Sequence, residues 1–226
     1  MEIIVVGDLH GDWGSINKLI NDKQPDIILQ CGDFGWWPKM EVTKPVLYGK
    51  QVSWLLKGIK RKETKVYFCD GNHEEHTALC QDGLIHEMYD GVYHGSRGSI
   101  LSLPDGRNVM FIGGADSIDK NARTIGHDWF YEENISLSQF DMAMAFDGEI
   151  DIVISHTCPA SFDIHKSFGK NEDPNRIALQ YILEKYKPSQ WFFGHWHINK
   201  EGKVGDTYWT CLDYPKHGNR WWKEVK

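Results

Sequence analysis

The feature that most constrains this chain is a recurrence: short apolar runs stop abruptly in polar loops that carry aspartate, asparagine or histidine. Residues 3–6 empty into Gly7-Asp8-Leu9-His10-Gly11, residues 27–31 into Gly32-Asp33, and residues 66–69 into Asp70-Gly71-Asn72-His73-Glu74. Runs without polar alternation read as strands buried on both faces. Between the first two, Ile16, Leu19 and Ile20 repeat at helical spacing until Pro25 stops the helix. This β-loop-α-β opening marks an α/β architecture, in which ligands gather at the carboxyl ends of the strands. The second half repeats the pattern. Residues 151–154 stop at Ser155-His156, and residues 191–193 stop at Gly194-His195-Trp196-His197. The spacing between them predicts a helix over 174–186 that buries Ile177, Leu179, Ile182 and Leu183.

Other segments fill in the frame. Val52, Leu55, Leu56 and Ile59 predict a further helix, and residues 140–146 a short one. Residues 92–94, 99–103 and 108–112 read as short strands, with Pro104-Asp105-Gly106 as a hairpin turn. Residues 208–212 are expected to close the sheet. Residues 113–133 form a polar stretch without periodicity, and so long a loop inside a compact domain points to function. A length of 226 residues with no linker, repeat or low-complexity segment predicts one domain over 1–226.

A net charge of −7 argues against a broad basic surface for duplex nucleic acid. It leaves room for a nucleotide in a cleft, because bound cations would invert the local sign. The five cysteines are scattered and odd in number, which suits a reducing compartment. The N-terminus lacks a basic segment ahead of its apolar run, and no stretch is long enough to cross a bilayer. A soluble cytoplasmic protein with no membrane partner is the expectation. The ten tryptophans, some paired as Trp36-Trp37 and Trp221-Trp222, read mainly as packing, with an aromatic cleft wall as the alternative.

Asp8-x-His10, Gly32-Asp33, Gly71-Asn72-His73-Glu74, His156 and Gly194-His195-x-His197 all sit at expected strand ends. In extended backbone, side chains at i and i+2 share a side. Asp8 and His10 could therefore bind one metal together, and so could His195 and His197. Carboxylate, imidazole and amide ligands suit borderline divalent ions such as Mn, Fe, Zn or Co. No G-x-G-x-x-G follows the first strand, which sets a nicotinamide or flavin enzyme aside.

The ordered blocks GDLHG, GD, GNHE, H and GHWH, spanning Gly7 to His197, resemble the signature of the calcineurin-like metallophosphoesterases, in particular small bacterial and phage members. The resemblance implies an α/β fold in which a two-layer mixed β-sandwich is flanked by helices. It implies a dinuclear site with Asp8, His10 and His197 on one metal, Asn72, His156 and His195 on the other, and Asp33 bridging. The implied cofactors are two divalent ions, manganese first, with iron, zinc, cobalt or nickel as alternatives. Two metals about 3.5–4 Å apart activate a shared water and clamp the phosphoryl oxygens. His73 matches the family histidine placed near the leaving group, as general acid or hydrogen-bond donor; the alternative is a loop residue that orients Asn72. The family's protein phosphatases carry Asp-Arg-Gly shortly after the bridging aspartate, whereas Asp33 is followed here by Phe34-Gly35-Trp36-Trp37-Pro38. The expected activity is thus a phosphodiesterase on a phosphoester substrate such as a nucleotide or nucleic-acid diester. Phosphomonoesterase and non-catalytic scaffold are the alternatives, and the scaffold would be expected to lack a ligand. Arg123, in the long loop, is the candidate phosphate contact; its alternative is a salt bridge to Asp116 or Asp119. Trp36, Trp37 and Trp129 are candidates to stack an aromatic group, and His127 and His165 read as ordinary loop histidines.

Overall fold

The computed structural model describes residues 1–37, 63–164, 173–218 and 220–226. The expected helix around Val52–Ile59 and His165 fall outside them. The first sheet begins with β1 (Ile3–Val6), β2 (Ile27–Gln30) and β3 (Lys65–Phe68), paired in parallel. Helix α1 (Trp13–Lys23) links the first two strands. Asp12 caps its start by accepting from the Ser15 N–H, and left-handed Gln24 ends it one residue before Pro25. Next come β4 (Ile85–Tyr89) and β5 (Val92–Gly95). The second sheet contains β6 (Ile100–Ser102), β7 (Asn108–Ile112), β8 (Ile152–Ser155), β9 (Gln190–Phe193), β10 (Lys200–Val204) and β11 (Thr207–Cys211). Helices α2 (Leu137–Ala145) and α3 (Pro174–Tyr186) flank it, and β12 (Trp222–Glu224) returns to the first sheet. The orders are β12-β1-β2-β3-β5-β4 and β10-β11-β9-β8-β7-β6. Each sheet has a parallel centre and antiparallel edges.

Alternation along the buried strands explains the layering. Ile3, Val5, Ile27 and Leu29 pack with Val109, Phe111, Ile152, Ile154 and Phe192 between the sheets. Ile4, Val6, Ile28 and Val66 turn the other way, onto Ile16, Leu19 and Ile20 of α1. On the far side, Val153, Trp191 and Phe193 meet Leu179, Ile182 and Leu183 of α3 and Ala143 of α2. The result is the expected two-layer mixed sandwich with helices outside. Three details differ from the sequence reading. Ile177 is 38% exposed, because α3 needs only a narrow apolar stripe against its sheet. Residues 207–211 do not close the second sheet, since β10 pairs outside them. The third is the set of edge strands β4, β10 and β12, which no continuous apolar run announces.

Candidate metal centre

The sandwich brings the carboxyl ends of β1, β2, β3, β8 and β9 to one place, and each contributes its polar loop. Asp8, His10 and His197 form one group, and Asp8, Asp33 and His156 another; within each, one ligand atom per residue lies within 4.8 Å of the others. His197 Nε2 is 2.9 Å from Asp8 Oδ2 and 3.1 Å from His10 Nε2. Asp33 stands between the groups, with Oδ2 3.6 Å from His10 Nε2 and Oδ1 3.4 Å from His156 Nε2. Asn72 Oδ1 lies 3.0 Å from His156 Nε2 and 3.1 Å from His195 Nδ1. His195 and His197 therefore part company, one toward Asn72 and His156, the other toward Asp8 and His10. The expectation that they share one ion assumed extended backbone, but their φ angles are 65° and 48°.

Left-handed backbone is concentrated here. Non-glycine residues with positive φ include His10 (47°), Asp33 (52°), His195 and His197; the other two described, Gln24 and Lys187, are ordinary helix caps. Such residues cost on the order of 1–3 kcal/mol each and persist where the surroundings fix them. The fixing bonds are visible. The Asp33 carbonyl accepts from the N–H groups of Leu9 (3.0 Å) and His10 (2.7 Å). Buried Glu74 accepts from Gly71 N–H (2.7 Å) and Gly35 N–H (3.1 Å), latching the β3 loop to the β2 loop. Burial raises the Glu74 carboxyl to about 8. Gln30 joins Gly7 O to Gly32 N–H, each at 3.1 Å. Gly194 is required by closeness: a Cβ there would stand 1.9 Å from Asp8 Oδ1, whose carboxylate accepts from His195 N–H at 2.9 Å.

The donor set fits divalent cations. His156 Nδ1 donates to the Cys31 carbonyl at 2.8 Å, so its Nε2 aims a lone pair at the oxygens of Asn72 and Asp33. Acceptors that converge in a buried place need a positive charge between them. In the protein alone a proton takes that place. Burial opposes charge on His156, but Asp33 and Asp8 push it up to about 10. Burial likewise opposes charge on Asp33, and the imidazoles of His156, His73 and His10 outweigh it, holding the carboxyl well below its usual range. Burial, reinforced by His156, drives His195 down to about 3, keeping the imidazole neutral. The Asp8 hydrogen bond raises His197. No thiolate enters the set, which suits borderline divalent ions.

A family model described as calcineurin-like phosphoesterase matches residues 1–199. The chain belongs to the calcineurin-like phosphoesterase family. This is a family of dinuclear-metal-dependent hydrolases, and the two acidic-imidazole groups are where this member offers ligands. No curated protein sequence matches the chain significantly. Among solved structures it is similar to TT1561 of Thermus thermophilus, at 13% identity and a TM-score of 0.57, covering 94% of this chain and 89% of that one. It is also similar to the phosphopantetheinyl hydrolase PptH of Mycobacterium tuberculosis, at 12% identity and a TM-score of 0.54, covering 99% and 95%. At these identities the likeness is one of fold.

Within this family member, His73 and Arg123 meet beside the metal groups. His73 N–H donates to Asp33 Oδ1 at 2.8 Å, and its ring stands edge-on to His10 with centroids 5.3 Å apart. Arg123 Nη2 lies 3.0 Å from His73 Nε2. Burial lowers His73; Asp33 opposes that and Arg123 adds to it, leaving the ring neutral and accepting from the guanidinium. Arg123 also pairs with Asp119 at 2.8 Å, while Asp116 takes Lys120 instead. Trp37 is buried and donates to His73 O at 2.7 Å, and Trp36 is half-buried and packs against the core. Trp129 stands against Tyr131, and His127 is exposed. Three residues escaped the sequence reading. Tyr214 lies over the first group, its ring 4.7 Å from His197 and 5.8 Å from His10. Ser117 and Glu133 lie behind Asn72. None belongs to a strand-end block, the signal on which that reading relied. Among the described residues, no helix is long and apolar enough to cross a membrane.

Proposed function

We propose that this chain is a phosphodiesterase in which Asp8, His10 and His197 hold one divalent cation, Asn72, His156 and His195 hold a second, and Asp33 bridges them. The observation that carries the reading is the Asp33 carboxylate, whose two oxygens face different imidazoles, His10 and His156. When bound, the two ions, manganese in our assignment, supply Lewis acidity and an activated water. The protein's own part is to orient and to move a proton. Arg123 Nη2 and His73 Nε2 are close enough to share one phosphoryl oxygen. An arriving phosphate anion draws the guanidinium off Nε2; the freed nitrogen takes up a proton from solvent, as the imidazolium is stabilised beside the anion, and then gives that proton to the leaving oxygen. Tyr214 walls the opposite side, next to His10 and His197.

The preference for a diester rests on the count of cations. Phe34, directly after Asp33, is buried and stacked on Phe68 with centroids 4.2 Å apart. The position where the family's protein phosphatases run into their Asp-Arg-Gly is thus filled by core. Among the described residues Arg123 is the candidate phosphate contact, and Asp119 already offsets part of its charge. That supply suits a monoanionic diester better than a dianionic monoester. The test is hydrolysis of bis-p-nitrophenyl phosphate against p-nitrophenyl phosphate by chelator-stripped protein reloaded with manganese. Faster turnover of the diester is expected. A monoester preference would replace the reading with a phosphomonoesterase, and no turnover with two ions bound would favour a scaffold.

A further inference from the structure

Asn72 is the one neutral oxygen ligand in the proposed set, and an amide can present either end. Only Oδ1 can bind a cation; turned over, the side chain would offer an NH₂ group to the ion and to His156 and His195. Something must fix the orientation, and the bonds behind the residue show what does. Asn72 Nδ2 donates to Ser117 Oγ at 2.9 Å, and Ser117 Oγ donates to Glu133 Oε2 at 2.5 Å. A hydroxyl has one proton. Burial lifts the Glu133 carboxyl to about 7 against the pull of this bond; in its ionised form it takes the Ser117 proton, so toward Asn72 the hydroxyl can only accept, which sets the NH₂ end to that side and Oδ1 to the other.

The end of the chain is itself fixed. Glu133 is fully buried; its Oε1 accepts from Phe130 N–H at 3.3 Å, and its carbonyl accepts from Ala115 N–H at 3.1 Å and from Arg97 at 3.2 Å. Ser117 is also buried, so water does not compete for the hydroxyl. Resting on the ligand assignment above, we infer that Ser117 and Glu133 are positioning residues that lock the Asn72 amide with its oxygen toward the second cation. The relay also polarises the amide, drawing electron density onto Oδ1 and strengthening a ligand that carries no formal charge.

The test uses full-length Ser117→Ala, Ser117→Thr and Asn72→Ala variants, stripped with chelator and titrated with Mn²⁺ by calorimetry, with ion content counted after gel filtration. Ser117→Ala should bind the second ion about 10- to 100-fold more weakly while the first keeps its affinity. Ser117→Thr, which retains the hydroxyl, should restore the second site. Unchanged second-site affinity in Ser117→Ala would overturn the inference. So would equal weakening of both ions, or a threonine variant no better than alanine, since either would mark a role in folding rather than orientation. Asn72→Ala separates the two levels: if it holds both ions as the wild type does, the ligand assignment fails, whatever the serine variants show.

Discussion

The buried pair Asp70–Arg97 offers the sharpest test of how the β3 loop is held. Both side chains are fully buried, and the guanidinium contacts Asp70 Oδ2 through Nε at 3.1 Å and through Nη2. The same guanidinium donates to Glu132 O (2.7 Å), Asn134 O (2.7 Å) and Gln139 Oε1 (2.9 Å), tying the β3 loop to the segment that opens α2. Arg97→Met keeps the volume and removes the charge. Asp70 would be left with Gln81 at 2.9 Å and His94 at 3.7 Å, too little for a buried carboxylate. Breaking one side of such a pair costs about 3–5 kcal/mol. For a chain of this size that lowers Tm by about 6–20 °C. The assay is urea and thermal unfolding of metal-stripped protein at neutral pH, so that metal binding does not enter the comparison. The Asp70→Asn/Arg97→Met double variant should be more stable than the sum of the singles implies, by about 2–3 kcal/mol. A loss under about 1 kcal/mol for Arg97→Met, or strictly additive singles, would refute the reasoning.

Other outcomes follow from the centre itself. His73→Ala should cut turnover by about 10²- to 10⁴-fold with metal content unchanged; equal loss of both, measured by steady-state kinetics and elemental analysis, would reject the proton-donor role. Gly194→Ala places a Cβ 1.9 Å from Asp8 Oδ1, so Asp8 must turn away. Elemental analysis should show the ion of the Asp8 group lost, and full retention of both ions would contradict that geometry. Removing metal should lower Tm, and reloading at about 1,000 times Kd should return about 4 kcal/mol per ion. A Tm indifferent to chelator would argue against cations at this centre.

Much of this arrangement was legible in the sequence because the strands announce themselves. Ile3–Val6 and Ile27–Gln30 are mainly apolar and buried on both faces, and where such a run stops at glycine the chain must turn into a loop. The order of the loops then names the polar residues that meet. Of the edge strands, only β6 was legible, as residues 99–103. Lys200–Val204 and Trp222–Glu224 face solvent on one side and carry no apolar run, so only their neighbours β11 and β1 make them strands. Nor could spacing say which histidines share a place. The i, i+2 rule assumes extended backbone, and positive φ at His195 and His197 breaks it, although Asp8 and His10 do meet in one group as the rule expected. Ser117, Glu133 and Tyr214 sit in irregular segments, where residue type says nothing about direction. Only the folded chain shows what they touch.

The proposed cation ligands and the residues that hold them form two distinct layers, and the physics asks for both. Asp8, Asp33 and the imidazoles are buried acceptors and partly charged groups on left-handed backbone, an arrangement that destabilises the metal-free chain. It persists because Glu74 and Gln30 bind main-chain N–H and C=O groups of the loops, and because Arg97 anchors Asp70 two residues before Asn72. In the described bonds these holders contact main chain, each other or neighbouring side chains such as Gln139 and Gln81 rather than the converging ligand atoms. Substituting a ligand therefore removes an ion, whereas substituting a holder leaves the donor set intact and loosens its geometry. On this argument Glu74→Gln belongs with the holders. It keeps one acceptor oxygen for two N–H groups and turns an NH₂ toward the other. Both ions should still bind to it, at lower affinity, with turnover falling further than occupancy. Calorimetric titration beside steady-state kinetics separates the cases: complete loss of one ion would mean that Glu74 acts as a ligand, and unchanged kinetics would mean that the loops keep their shape without it.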